Sequence, residues 1–278
     1  MTTAFESLPR SLKDKARLAC LGPDVPALLA HPNWEEPAPF VLWMHGRTAH
    51  KELDPGRYNR WLRAGIACCS IDLPGHGERF DEAMQQAEAA PDAVKQALGE
   101  VDEVVDQLDI EARGGLFDRS RAAIGGMSMG GMIALRRLCD PHGFTCAAVE
   151  ATTGDLERLY FRSAQDEADP WPVRHERGEI RKLNPLEHLT GFEPLPLLAL
   201  HSEADRMVPF PGQRDFIERL REHYRERGAD PDSIELHTWP ETGAPSEHIG
   251  FGRFSAEAKD LQTAFFRRHL IGGAEATP

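Results

Sequence analysis

The sequence predicts an α/β protein built on a mostly parallel, doubly wound sheet, and three observations carry that expectation. Short apolar runs alternate with longer amphipathic segments, the pattern of strand–helix–strand units. The clearest apolar runs are almost unbroken by polar residues, as strands covered on both faces require. No internal repeat, low-complexity tract or linker divides the chain, so one domain is expected over residues 1–278.

The elements follow in order. The first 39 residues hold no convincing strand. Phe40–Met44 is the first clear one, and His45-Gly46 breaks it. Asp54–Ala64 reads as a helix closed by Gly65. Ile66–Ile71 is a nearly all-apolar strand, followed by the turn Asp72-Leu-Pro-Gly-His-Gly77. From Asp92 to Asp109, Val94, Leu98, Val101, Val105 and Leu108 recur at helical spacing. Ala122–Ile124 is a short strand running into a glycine cluster, and Met129–Leu138 is the helix after it. Cys146–Val149 and Leu195–Leu200 are further strands. Pro211–Arg227 is a helix with Phe216, Leu220 and Tyr224 on one side, ended by Gly228. Ile234–Trp239 is the last strand, Ser255 caps a final helix to Leu270, and Gly272–Pro278 is a frayed tail. Residues 152–193 interrupt this rhythm as an insertion. It is rich in charge yet carries Leu159, Tyr160, Phe161 and Trp171, and it reads as a small helical cap.

Composition excludes several classes of function. A formal charge of −13 repels phosphate backbones and anionic lipid, and no dense block of Lys or Arg offsets it, so nucleic acid is not an expected partner. No apolar stretch of transmembrane length occurs, and the N-terminus lacks a signal-peptide core, so a cytoplasmic protein without a membrane partner is expected. The five cysteines are odd in number and mostly sit in apolar runs, which fits buried free thiols better than disulfides. Cys68 and Cys69, adjacent in one strand, should point to opposite sheet faces. No i,i+4 histidine pair, no C-x-x-C, no phosphate-binding P-loop and no complete dinucleotide motif is present, so neither metal nor cofactor is expected.

Gly125-Gly-Met-Ser-Met-Gly-Gly131 contains G-x-S-x-G at Gly126, Ser128 and Gly130. A hydroxyl held at the apex of a sharp strand-to-helix turn needs a strained backbone at the serine. Side chains two residues either side would collide with the turn, so glycine is needed at both places. A strand before the motif and a helix after it complete the context in which a serine becomes a nucleophile.

Four segments together resemble the α/β-hydrolase superfamily. They are the strand ending in His45-Gly46-Arg47-Thr48, the loop Asp72–Gly77, the Gly126–Gly130 turn, and Leu200-His-Ser-Glu-Ala-Asp205 with Val208-Pro209. The likeness is nearest to compact esterases and to catalytic domains akin to dienelactone hydrolases and prolyl oligopeptidases. It implies the chain order Ser, then Asp or Glu, then His. His248, on the loop between the last strand and the last helix, is then the base. Asp205, after Leu195–Leu200, is the acid, with Glu203 as a neighbouring rival and Glu150 at a rarer position. His201 reads as a brace for the acid loop, His223 and His269 as surface-helix residues, and His237 as a strand residue. The oxyanion donors implied are the backbone N–H groups of Met129 and Arg47. The Arg47 side chain either meets an acidic group on a substrate or is solvated. Since only Ala27–Ala30 supplies strand character before Phe40, a reduced sheet of about six or seven strands is expected.

Three functions compete on this reading. The leading one is hydrolysis of a small-molecule carboxylic ester or thioester through an acyl-enzyme. The second is acyl transfer or peptide cleavage on the same triad, with the filtering domain of larger relatives missing. The third is a catalytically idle fold serving as a ligand receptor. In the first, Phe161, Trp171 and Tyr160 roof a substrate pocket, the alternative being that they and Leu159 pack as the insertion's own small core.

Overall fold

Side-chain alternation along the strand Ala38–Met44 explains why its run is unbroken: Phe40, Leu42 and Met44 enter one core, Val41 and Trp43 the other. The computed structural model describes residues 3–111, 114–162 and 171–272. The strands are β1 (Ala16–Leu21), β2 (Val25–Ala30), β3 (Ala38–Met44), β4 (Ala67–Ile71), β5 (Phe117–Met127), β6 (Cys146–Glu150), β7 (Leu197–Ser202) and β8 (Ile234–Trp239). They form one sheet in the order β1-β2-β4-β3-β5-β6-β7-β8. The run β4-β3-β5-β6-β7-β8 is parallel, and β1 and β2 are added antiparallel at one edge.

Among the described residues the sheet thus has eight strands, not six or seven: β2 contains the Ala27–Ala30 segment that shows strand character, and β1 is the strand with no signal in the sequence. Physical reasons hid it. β1 is an edge strand with most of its side chains at least partly exposed, so Arg17 interrupts its apolar residues at no cost. β2 carries Pro26, which cannot donate to a ladder, yet its carbonyl still accepts the Asp72 N–H at 2.9 Å. The three residues joining them include Gly22 and Asp24, both at positive φ, and the register Leu21↔Val25 closes a hairpin.

The helices are α1 (Arg10–Lys13), α2 (Pro55–Arg63), α3 (Ala90–Glu111), α4 (Met129–Arg137), α5 (Leu156–Tyr160), α6 (Arg177–Leu183), α7 (Phe210–Glu226) and α8 (Ser255–Phe266). One face of the sheet is covered by α3, α4 and α7, the other by α2 and α8. Trp61 of α2, fully buried, packs edge-on against Trp43 and Phe266. Burying a large apolar side chain of this kind stabilises by about 1.5–3 kcal/mol. Cys68 and Cys69 enter opposite cores as expected, and four of the five free thiols are buried, whereas Cys20 on β1 is exposed.

Other local expectations shift in detail. β5 starts well before Ala122, because Asp118–Arg121 form its half-exposed, polar first part. Ser255 is the first residue of α8 rather than its cap, and its hydroxyl accepts from Lys259 Nζ at 2.8 Å. His223, expected on a surface, is buried, with Nε2 2.8 Å from the Phe192 carbonyl. The tail beyond Gly272 lies outside the described residues. No helix among those described is long and apolar enough to cross a membrane.

One topological feature positions the site. From β3 the chain passes to β4 on one side, and β5 then lies on the other side of β3. Ligand crevices in open parallel sheets form at such a reversal, outside the carboxyl ends of the strands. Here that crevice opens between the ends of β3 and β5.

Candidate active site

The end of β5 makes the turn that the glycine spacing predicts. Ser128 has φ +53° and ψ −117°, a conformation that a side-chain-bearing residue adopts only under strong constraint. The constraint is visible. Its N–H donates to the Glu150 carbonyl at 2.9 Å, and its own carbonyl accepts from Thr152 Oγ1 at 2.8 Å and from the Met132 N–H at 3.0 Å. A Cβ on Gly126 would overlap the Gly130 backbone, and one on Gly130 would overlap the Met44 carbonyl. Both glycines are therefore required by close backbone approach.

His248 comes to Ser128 on the loop after β8. Its Nε2 lies 2.9 Å from Ser128 Oγ and its Nδ1 2.7 Å from Asp205 Oδ2, and all three side chains are buried. A carboxylate only accepts, so Nδ1 carries the proton and Nε2 is free to accept from the serine hydroxyl. Asp205 Oδ1 also takes the N–H groups of Met207 and Val208, each at 2.8 Å, which fixes the carboxylate. His201 braces this loop, its Nε2 lying 2.8 Å from the Val208 carbonyl. The rivals are engaged elsewhere. Glu203 accepts from Thr238 Oγ1 at 2.7 Å, and Glu150 forms a buried two-pronged pair with Arg57. His237 stands on β8 against Trp239, and His269 packs on Phe265.

Glu247, which the sequence reading did not single out, anchors the His248 loop. Its carboxylate accepts from the N–H and hydroxyl of Thr242, the N–H of Gly243 and the hydroxyl of Ser202, all between 2.6 and 2.9 Å. Desolvation works to raise its pKa, but these bonds outweigh it and pull the carboxyl down to about 2. Ser246 and Glu247 are both held at positive φ, so the loop that presents His248 stores backbone strain. The only sequence signal for this role is adjacency to the histidine.

The loop after β3 supplies the remaining piece. Gly46 abuts the elbow closely enough that a Cβ there would meet Met127 Sδ at 2.7 Å and Ser128 Cβ at 3.3 Å. His45 sets the orientation of the next peptide. Its Nε2 accepts the Leu73 N–H at 3.1 Å, so Nδ1 is the protonated nitrogen and donates to the Gly46 carbonyl at 2.7 Å. Burial pulls the ring pKa down to about 4, keeping it neutral. In a trans peptide the N–H points opposite to the carbonyl. With the Gly46 carbonyl held by His45, the Arg47 N–H is turned away from that ring. Neither this N–H nor that of Met129 donates to a protein acceptor among the described residues.

These groups open onto a cavity of about 310 Å³. Its wall includes Met132, Leu159, Tyr160, Trp171, Met207 and Ile249, so the 152–193 segment does roof it in part. Tyr160 and Trp171 meet edge-on at 4.7 Å. Phe161 is not among the lining residues. It sits just past the end of α5 with its ring under the Arg177 guanidinium, 4.1 Å away, and Leu159 and Tyr160 face the cavity instead.

Comparison with known proteins agrees with this architecture. A family model described as the prolyl oligopeptidase family matches residues 58–272. Esterase YjfP of Escherichia coli is 28% identical over 262 residues, covering 89% of this chain and 96% of that protein. Among solved structures, Pyrococcus horikoshii acylaminoacyl peptidase superposes with a TM-score of 0.73 at 18% identity. That match covers 95% of this chain but only 43% of the peptidase. TT1662 from Thermus thermophilus superposes with a TM-score of 0.67 at 19% identity, covering 92% of this chain and 98% of that one. At those identities the structural matches speak for the fold.

Proposed function

This chain belongs to the prolyl oligopeptidase family and is a serine hydrolase, and on that premise we propose that it cleaves small-molecule carboxylic esters through an acyl-enzyme on Ser128, His248 and Asp205. The observation that carries the proposal is the continuous chain Asp205 Oδ2···Nδ1–His248–Nε2···Oγ–Ser128, with separations of 2.7 and 2.9 Å. Ser128 Oγ attacks the ester carbonyl carbon while His248 Nε2 takes its proton. The carbonyl oxygen becomes an oxyanion held by the Met129 and Arg47 N–H groups. When the tetrahedral adduct collapses, the alcohol leaves with the proton that Nε2 returns. A water then repeats the sequence on the acyl-serine and releases the carboxylic acid. Asp205 holds the imidazole in the reactive tautomer and stabilises the imidazolium. Esters rather than peptides are the substrates favoured, because YjfP, named as an esterase, aligns over nearly its whole length. Fluorophosphonate labelling of Ser128 and turnover of p-nitrophenyl esters test the reading. Failure of both in folded protein would refute it.

The cavity wall makes a further outcome specific. Trp171→Ala should shift kcat/KM ratios across an acyl series by roughly ten-fold while short esters are still turned over, because a pocket distinguishes methylenes by only about 1–3 kcal/mol. An unchanged acyl profile would remove Trp171 from the specificity wall.

A further inference from the structure

Arg47 is the one side chain of fixed charge on the wall of the active-site cavity, and no carboxylate lines that wall among the described residues. In a chain with 45 acidic residues and a net charge of −13, this is an unusual place for a permanent cation with no acid paired to it. Its Nη1 donates at 2.8 Å to a neutral acceptor, the Gln85 carbonyl, and no ion pair engages the guanidinium among the described residues. Most of its N–H donors are therefore free for a ligand. Tyr160 lines the same wall. Its ring is buried between the edges of Trp171 and His175, and its hydroxyl bonds to no protein group among the described residues. Burial keeps that hydroxyl protonated, and the Arg47 charge opposes the shift, so the two groups share one electrostatic neighbourhood. A guanidinium and a phenol O–H, both donors, line one cavity whose wall carries no carboxylate among the described residues, and the neighbouring His50 on that wall is already paired with Glu52 at 3.0 Å.

We propose that Arg47 and Tyr160 form a receptor for an anionic group, a carboxylate, on the acyl half of the ester substrate. For Arg47 the side is set by topology. Asp205, Met207 and His248 follow β7 and β8, on one side of β5 and its Ser128, whereas Arg47 and Gln85 follow β3 and β4, on the other. Tyr160, carried on α5 after β6, reaches the same cavity from the 152–193 segment that roofs it. The alcohol must leave beside His248 Nε2, which returns its proton. The acyl group then extends to the opposite side, toward the Arg47 guanidinium. A planar guanidinium matches a carboxylate in both geometry and charge, and a second donor from a phenol fixes its orientation.

The proposal rests on the esterase reading but is separable from it. The probes are p-nitrophenyl monoesters of glutaric, adipic and pimelic acids, each compared with the uncharged carboxamide of the same length. At one chain length the wild-type protein should favour the carboxylate in kcat/KM by about 10–100-fold, the range expected of a charged hydrogen bond. Arg47→Met should bring that ratio to near unity, Arg47→Lys should keep part of it, and Tyr160→Phe should lower it. Because each ratio compares two substrates on one variant, any general loss of rate cancels. Calorimetry on Ser128→Ala protein gives a readout that needs no turnover: it should bind the carboxylate ester more tightly than the carboxamide, and Arg47→Met should remove the difference. Equal kcat/KM for the two substrates at every length, or a preference that survives Arg47→Met, would overturn the receptor while leaving the esterase reading intact. If neither ester is turned over, the esterase reading fails, and the binding difference alone decides the receptor.

Discussion

Ser128→Ala should lower kcat on a p-nitrophenyl ester by on the order of 10⁶-fold and abolish fluorophosphonate labelling, with the fold unchanged. The fold should survive because alanine keeps the Cβ and meets the same positive φ that serine already tolerates. The hydrogen bonds that hold the elbow run through the backbone of residue 128, not its hydroxyl. What remains should be the contribution of oxyanion donors and substrate binding, about 10³–10⁴-fold over water. Asp205→Asn should cost on the order of 10⁴-fold, because an amide at that position no longer enforces the tautomer with Nε2 unprotonated. The double variant Ser128→Ala/Asp205→Asn should fall little further than Ser128→Ala, since the residues act as one unit. Steady-state kinetics and intact-protein mass after labelling measure all three. Undiminished turnover in a clean Ser128→Ala preparation, or a larger loss from His201→Ala than from His248→Ala in folded protein, would sink the assignment.

How much of this was legible in the sequence depends on whether a residue's role is written in its neighbours. The Gly126–Gly130 turn is local: two close approaches force two glycines, and those are countable along the chain. Asp205 and His248 were readable only through chain order, since nothing near either residue declares its partner across the sheet. β1 gives no signal because an edge strand tolerates charge, so apolar periodicity fades where only one side is paired, and β2 shows only as Ala27–Ala30 because Pro26 breaks the pattern at its start. Phe161 was assigned to the pocket by composition alone. Phe161 falls just past the end of α5, with non-helical φ −118° and ψ 47°, and a run of three aromatic or aliphatic residues does not say where the helix stops or which of them face the cavity. The Arg47 side chain was left undecided between substrate and solvent because its surroundings come from Gln85 and Tyr160, far along the chain. Glu247 carries no signal in the sequence because its four donors, on Ser202 and on Thr242 and Gly243, show as a cradle only once the Ser202 strand end is folded against its loop.

Beneath the elbow lies a buried charge cluster that should dominate stability. Arg57 donates to Glu150 through two bonds of 2.6 and 2.8 Å, and Gln262 bridges both residues. Arg57 also reaches Asp54 at 3.2 Å, and its guanidinium stacks over Trp43 at 4.4 Å. Asp54 in turn pairs with Lys259 at 3.0 Å, so the cluster ties α2 and α8 to the end of β6. The backbone of Glu150 accepts the Ser128 N–H, so the same residue supports the nucleophile from behind. Removing one member of such a pair leaves an uncompensated charge away from water, and this costs about 3–5 kcal/mol. Glu150→Met should therefore lower Tm by roughly 10 °C, taking a few degrees per kcal/mol for a chain of this size. Arg57→Met should be similarly damaging, because Glu150 would then keep only Gln262 as a side-chain partner. Arg57→Met combined with Glu150→Met should be less destabilised than the two single losses added together, since no buried charge is then left unpaired. Denaturant unfolding of the four proteins measures this coupling directly. Single variants within about 0.5 kcal/mol of wild type, the range of ordinary surface changes, would mean the pair contributes nothing to folding.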